Sequence, residues 1–493
     1  MRSVRLSRRS TLAGLAIALL AACSKSDGGT GPALADHMVF LVPPSQTRSG
    51  QAIIPAIQVA LVDASGTVVP GATASVTLAL APPIPAGGAL TGTLTVQTVA
   101  GVATFSSLGI GPVATGYVLQ ATAAGLPTAT SDAFAVFAPM PAAATSISVG
   151  SDWSCALTSG GGYCWGHNSG GELGINSDTA RSTPSAILTS GIVFGQLAAG
   201  GSDTCGLTTP GGAAWCWGHN SSGAAGDGTT ITKLAPVAVS GGHAFSSILA
   251  GDGTSCGLTS SGALWCWGAN GRGQLGNGTT TNSPVPDSVH GGPYASASAG
   301  GSYACGVTSA GAAYCWGMNF SGGLGDGTYA DKSAPVAVSG GIVFSVVKAG
   351  GGQTCGLTSP AGAAYCWGDN SYGQVGDGTT FVRSTPVAVS GGLFFSAISA
   401  GGELTCAIEK TTAHAYCWGH NNVGQLGNGT IADANVPTLV SGGRSFTQIG
   451  AGFAHACALE AGSGAVYCWG DNHQGALGNG TTVDSHVPTA VVP

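Results

Sequence analysis

Fourteen cysteines stand in seven pairs at almost constant spacing, and thiols so arranged can either hold metal ions or close disulfides. The upstream members are Cys155, Cys205, Cys256, Cys305, Cys355, Cys406 and Cys457, recurring every 49 to 51 residues. The downstream members, Cys164, Cys216, Cys266, Cys315, Cys366, Cys417 and Cys468, each open a Cys-Trp-Gly triplet. No histidine keeps register with both members, so two thiolates per unit make a poor metal site. Turn chemistry such as Pro210-Gly211-Gly212 separates the two cysteines of a pair, which places them on the two arms of one hairpin. Directly opposed antiparallel residues lie about 4.5–5.5 Å apart at Cα, within disulfide range. The expected bonds are Cys155–Cys164, Cys205–Cys216, Cys256–Cys266, Cys305–Cys315, Cys355–Cys366, Cys406–Cys417 and Cys457–Cys468. Such pairing implies an oxidising compartment. The fifteenth cysteine, Cys23, stands apart.

Other reactive constellations are absent from the sequence. It contains no His-Glu-x-x-His, Cys-x-x-Cys or Gly-x-x-x-x-Gly-Lys-Ser/Thr. Gly271-Arg-Gly-Gln-Leu-Gly276 fits a dinucleotide fingerprint, but it is the repeat's own turn and no helical pattern follows. His167, His219 and His420 share one slot after Trp-Gly, and equivalent slots of a repeat do not converge on one point. Asp227, Asn277, Asp326, Asp377, Asn428 and Asn479 precede Gly-Thr, which is turn chemistry. The expectation is a protein that is not an enzyme and takes neither cofactor nor metal. Charged residues are 7% of the chain and the formal charge is −7, which argues against nucleic acid as a partner.

The positions where the repeat stops repeating lie between its inner glycine and the upstream cysteine. They read Asp152-Trp153, Ser202-Asp203, Asp252-Gly253, Ser302-Tyr303, Gly352-Gln353, Glu403-Leu404 and Ala454-His455. From these, Asp152, Trp153, Asp203, Asp252, Tyr303, Gln353, Glu403, Leu404 and His455 are the candidate binding residues, since aromatics anchor interfaces. A glycan-active enzyme, the alternative reading, needs two carboxylates about 5–9 Å apart in a cleft. Asp152, Asp203, Asp252 and Glu403 are the available donors.

The elements that position these residues follow from one unit. Phe245 to Gly251 reads as a short strand ending at glycine, and Cys205-Gly-Leu-Thr as a second with alternating apolar positions. Ala213 to Trp217 is a third, rich in aromatics, and Pro236-Val-Ala-Val opens a fourth. Four strands in each of seven units predict a seven-bladed β-propeller over 146–493, all-β. The first unit begins at Ser146 without a preceding Pro-Val strand and the last carries a surplus one. The C-terminal strand 487–492 is therefore expected to complete blade one and clasp the ring.

The rest of the chain is differently composed. Residues 37–138 contain no cysteine or tryptophan, and six runs alternate at period two: Val39-Phe-Leu-Val, Ile57 to Val62, Ala74 to Leu80, Gly101 to Phe105, Tyr117 to Ala121 and Phe134 to Phe137. That predicts an immunoglobulin-like β-sandwich of about seven strands, serving as a spacer, joined to the propeller by a linker at 139–145. Residues 24–36 read as a flexible tether. Residues 1–23 have a positive start (Arg2, Arg5, Arg8, Arg9) and an apolar stretch, and read as an export signal.

Four resemblances add to this. Leu20-Ala-Ala-Cys23 resembles a bacterial lipobox, so Cys23 is the expected lipidation site. That makes the protein a lipoprotein anchored to the membrane in the bacterial cell envelope, at the outer membrane or cell surface. Ser7-Arg-Arg-Ser-Thr-Leu resembles a twin-arginine signal, so the export route stays open. The units, as in Leu249-Ala-Gly, Leu258, Trp267-Gly-Ala-Asn, Gly273-Gln-Leu-Gly and Pro284-Val, resemble the regulator of chromosome condensation family of β-propellers over about 142–493. Residues 57–66 and 101–105 resemble bacterial immunoglobulin-like modules. The propeller resemblance implies a partner-binding face at the turns before the upstream cysteines. Exchange-factor members use an Asp and a His there, and Asp252 and His455 fall on matching slots. The favoured reading is a non-catalytic lipoprotein whose propeller binds a protein or glycan. Inhibition of an extracellular enzyme is an alternative, and guanine-nucleotide exchange rests on resemblance alone.

Overall fold

In each repeat the two cysteines stand directly opposite one another on adjacent strands, Cys205 facing Cys216 and Cys256 facing Cys266. The computed structural model describes residues 35–44, 47–49, 53, 56–112, 114–137, 143–189 and 191–492. The export signal 1–23 with Cys23, most of the tether 24–36 and the greater part of the linker 139–145 lie outside the described residues. The chain divides into two units, 1–136 and 137–493.

The second unit is seven four-stranded antiparallel sheets. They cover 144–186, 194–238, 247–288, 294–337, 344–388, 395–439 and 446–490. Blade two shows the plan. Its innermost strand is Phe194–Ala199, followed outward by Asp203–Thr208, Ala214–Gly218 and Lys233–Ala238. All seven expected disulfides are formed, with Cα–Cα distances of 4.0 to 4.1 Å. The outermost strand skips register between Cys216 and Gly218, and Pro236 lies in that irregular stretch at the sheet edge, where no N–H is required.

Blades are bolted together by the tryptophans of the triplets, all fully buried. Trp217 Nε1 donates to Glu172 O of blade one at 2.8 Å, Trp267 to Ala224 O at 2.9 Å, and Trp165 to Ala476 O of blade seven at 2.8 Å. A glycine of the preceding blade's loop lies against each ring: a Cβ on Gly226 would meet Trp267 Nε1 at 2.7 Å. Burying one such ring contributes on the order of 4 kcal/mol, an upper figure because unfolded chains are not fully extended. The loop itself is stapled by one buried asparagine. Asn220 Nδ2 donates to Thr229 O and Ile231 O, while its Oδ1 accepts from Ala225 N.

The expected clasp is not formed. The last strand, Ser485–Ala490, pairs with Val466–Gly470 of its own repeat, Cys468 facing Thr489. Blade one has its own outermost strand, Arg181–Ala186, with Cys164 facing Ser185. Pro184-Ser185 stands there in place of Pro-Val, so the strand carries no apolar mark in the sequence. Every blade is thus one continuous stretch of chain, and closure is done by contacts between blades. Seven inner glycines, from Gly150 to Gly452, each lie so close to the next blade that an added Cβ would stand within 2.7 Å of its glycine carbonyl. The series runs Gly150, Gly200, Gly251, Gly300, Gly350, Gly401, Gly452 and back to Gly150. Backbone bonds follow the same circle, including Gly201 N to Gly251 O at 2.7 Å and, across the seam, Phe453 N to Ser151 O at 2.9 Å.

The first unit is also all strand among its described residues. Its sheets join His37–Val42, Ile57–Val62 and Val102–Phe105 in one set, and Ala129–Thr130, Leu119–Thr122, Ser75–Leu80 and Thr95–Gln97 in another. Val59, Leu78, Phe105, Tyr117 and Leu119 meet in one buried core. The six alternating runs all fall on strands, but the fifth divides between Ala114–Tyr117 and Leu119–Thr122. Short strands such as Ala89–Thr91 were not expected and bring the number to twelve. Three residues cannot show a period.

Candidate functional site

Each innermost strand ends at its glycine and each third strand ends at Trp-Gly, so the two following connections lie at the same end of the blade. Backbone bonds tie them together: His167 N donates to Asp152 O, Met318 N to Ser302 O and His420 N to Glu403 O. Three concentric rings of seven result. The inner ring is Ser151, Gly201, Asp252, Gly301, Gly351, Gly402 and Phe453. The middle ring is Asp152, Ser202, Gly253, Ser302, Gly352, Glu403 and Ala454. The outer ring is His167, His219, Ala269, Met318, Asp369, His420 and Asp471. Within them opens the channel mouth, a cavity of ≈ 360 Å³ walled by the Ala-Gly stretches together with Ser151, Asp252, Ser302, Met318 and Phe453.

Six of the nine expected binding residues are not on this face. Trp153, Asp203, Tyr303, Gln353, Leu404 and His455 are at most 2% exposed. Each is the first residue of the second strand, not the last of the turn, and its side chain is buried between blades. Trp153 Nε1 donates to Thr204 Oγ1, Tyr303 OH to Gln353 O, and Gln353 Nε2 to Leu404 O. Asp203 Oδ2 accepts from Ser255 Oγ at 2.8 Å, and His455 Nε2 lies 2.9 Å from Ser154 Oγ across the seam. These are ties between neighbouring blades. In blade three the expected pair was one residue out of step: Thr254, not Gly253, faces Gly268 as Asp203 faces Gly218. Asp252 therefore stands on the turn, while His455 heads a second strand.

Asp152, Asp252 and Glu403 do lie on the mouth face. Partial burial and the like charges of Asp471 and Glu172 raise the Asp152 carboxyl, against the pull of His167. Asp203, beneath them, is pushed up to about 7 by burial first and by Asp252 among the rest. Its Oδ1 has no partner. Glu403 Oε2 is 2.7 Å from His420 Nδ1, and His420 stacks on Tyr372 at 4.0 Å. Phe453, half exposed on the inner ring, and Met318 went unmarked in the sequence. The signal was there: Phe453 is the one bulky apolar residue in a slot that is otherwise Gly, Ser or Asp.

Asp471, His473 and Asp484 come within 4.8 Å of one another in ligand atoms. Asp484 Oδ1 already accepts from Asn472 N, as Asp331 and Asp433 accept from Asn319 and Asn421 in blades with no such histidine. The group is first a loop brace. The carboxylates of the mouth stand on different blades, and two of them are held by histidines, Glu403 by His420 and Asp471 by His473.

The model of the RCC1-like domain family matches residues 189–493. The human E3 ubiquitin-protein ligase HERC2 is 32% identical over 143 residues, covering 28% of this chain and 3% of that protein. The ultraviolet-B receptor UVR8 of Arabidopsis thaliana is 32% identical over 151 residues, 30% of this chain and 34% of the receptor. The chain thus spans about a third or less of the length of these curated relatives. Among solved structures, Prp20p from Saccharomyces cerevisiae, studied with its binding to Gsp1p and histones, aligns at TM-score 0.60 and 21% identity. That alignment covers 71% of this chain and 87% of Prp20p. Human WBSCR16 aligns at TM-score 0.60 and 21% identity, covering 67% and 93%. At these identities the structures speak to the fold alone.

Proposed function

The chain belongs to the RCC1-like domain family, and from that premise we propose that it is a non-catalytic binding protein of the bacterial cell envelope. On this reading it is held by a lipid on Cys23, lifted by an immunoglobulin-like spacer, and recognises a protein partner at the channel mouth. The observation that carries the reading is the contrast between frame and face. The bolts, staples and disulfides are nearly identical from blade to blade, while no two blades carry the same combination of residues on the three rings around the mouth. Repeated positions build a scaffold; unrepeated exposed ones on a rigid scaffold serve recognition. Prp20p, of the same fold, binds Gsp1p and histones, which supports a protein as the partner class. Export and disulfides argue against exchange on an intracellular GTPase.

The test is affinity capture from intact cells with the parent chain, with Phe453→Ala/Asp252→Asn, and with Phe394→Ala on the opposite face. The mouth variant is expected to lose the captured protein at unchanged melting temperature, while the Phe394 variant keeps it. Equal capture by all three places recognition elsewhere.

A further inference from the structure

The three mouth rings hold five carboxylates, Asp152, Asp252, Asp369, Glu403 and Asp471, and no lysine or arginine. Elsewhere in the propeller several acids are paired with cations. Asp227 meets Lys233 at 2.6 Å, Asp377 meets Arg383 at 2.6 Å and Asp331 meets Arg272 at 3.2 Å. Asp152 and Asp252 are exposed and make no side-chain hydrogen bond or ion pair. Asp252 lines the cavity, which at ≈ 360 Å³ has room for one long side chain, while Asp152 follows the lining residue Ser151 on the next ring out; Phe453 and Met318 on the wall offer apolar surface to an alkyl stem.

We infer that the mouth is a socket for a single cationic side chain, an arginine or lysine at the tip of a protruding loop of the partner protein. The stem lies along Phe453 and Met318 and the head group sits at Asp252, within the negative field to which Asp152 on the next ring adds. The inference rests on the protein-binding reading above and adds the chemistry of what is bound. A cation there also relieves the repulsion that Asp471 and Glu172 exert on Asp152 and that Asp252 exerts on Asp203. Charge complementarity of this kind governs specificity and association rate and weakens with salt.

The probe is a disulfide-cyclised hairpin peptide with neutral ends and one arginine at its tip, compared with the same peptide carrying glutamine. Binding to the full chain is followed by fluorescence anisotropy at low and high salt. The arginine hairpin is expected to bind at least tenfold more tightly than the glutamine one, and to weaken with salt. Asp252→Asn and Asp152→Asn should each weaken it fivefold or more, and Asp132→Asn, an exposed acid of the first unit, should not. Equal binding of both hairpins, or arginine binding indifferent to both mouth variants, overturns the inference. If neither hairpin binds while the captured partner still depends on Phe453 and Asp252, the cationic socket falls and the binding face stands. If capture is also indifferent to the mouth, both fall.

Discussion

Asp203 and His455 hold the same slot in blades two and seven, and burial shifts them in opposite directions. Burial drives the His455 imidazole down to about 4, partly offset by Asp471. A histidine whose folded pKa lies below its unfolded value near 6.5 contributes stability that is full above about 6.5. That stability is lost as pH falls through the folded value. The seam between blades one and seven should therefore loosen in acid. His455→Gln, which can still meet Ser154, is expected to flatten the fall in melting temperature between pH 7 and 4. Asp203 is raised to about 7, so its ionisation disfavours the fold as pH climbs from 4 to 7. Asp203→Asn should be more stable than the parent at pH 8, by roughly 2–4 kcal/mol for about three pH units at 1.36 kcal/mol each, with the gap closing toward pH 4. Thermal melts across that range check both signs. Trp153→Ala, which the sequence suggested would remove a ligand contact, should instead cost about 3–5 kcal/mol of stability by emptying a buried space between blades. The sequence could not separate these roles. Both faces of a blade's middle strands are covered by neighbours, so Trp153–Thr158 is buried without alternation, and the first residue of such a strand looks like the last residue of a turn.

One blade is the smallest piece whose logic is complete, and it was the most legible. Cysteines at fixed separation and aromatic triplets mark two adjacent strands, and the structure pairs them as expected, Cys205 with Cys216 across 11 residues. The less legible parts lacked either a landmark or a period. Counting from Cys256 sets Thr254 at the head of its strand, but counting from the inner glycine falls one residue short, because blade three has the single Gly251 where blade two has Gly200-Gly201. In the first unit, strands such as Ala89–Thr91 are too short for alternation to register. The disulfide closes a small loop, and in the chain-entropy account removing it costs roughly 3 kcal/mol. Cys205→Ala/Cys216→Ala is expected to lower stability by about that amount. Because Ser255 Oγ lies 3.4 Å from Cys205 Sγ, hydrogen exchange should quicken in blade two and at the adjoining strand Thr254–Leu258, with the far blades unchanged. Uniform loss of protection around the ring would mean that the blades do not act as separate units.

At the scale of the whole ring the question is what keeps it shut. A strand shared between first and last blades was the economical expectation, and the chain does without it because each repeat supplies all four of its own strands. The seam is instead made of contacts between the two blades, of which the tryptophan bond and the glycine approach recur at every other junction. Trp165 bonds Ala476 O, His455 meets Ser154, Gln448 Oε1 takes Ile147 N at 3.0 Å, and Gly452 lies on Gly150 O. Removing residues 485–493 then strips the outer edge of blade seven and takes Val491 from the cluster around Trp165, but leaves those four contacts in place. The truncated chain should melt lower, yet keep slow exchange at Ala144–Val149 and Phe446–Ala451. Gly452→Val, a far smaller change, should do the reverse. Its side chain would collide with the neighbouring carbonyl and with His455, and protection should vanish at both innermost strands of the seam while the outer strand Ser485–Ala490 stays paired. If the truncation, and not Gly452→Val, releases Ala144–Val149, the ring is clasped by its last strand after all.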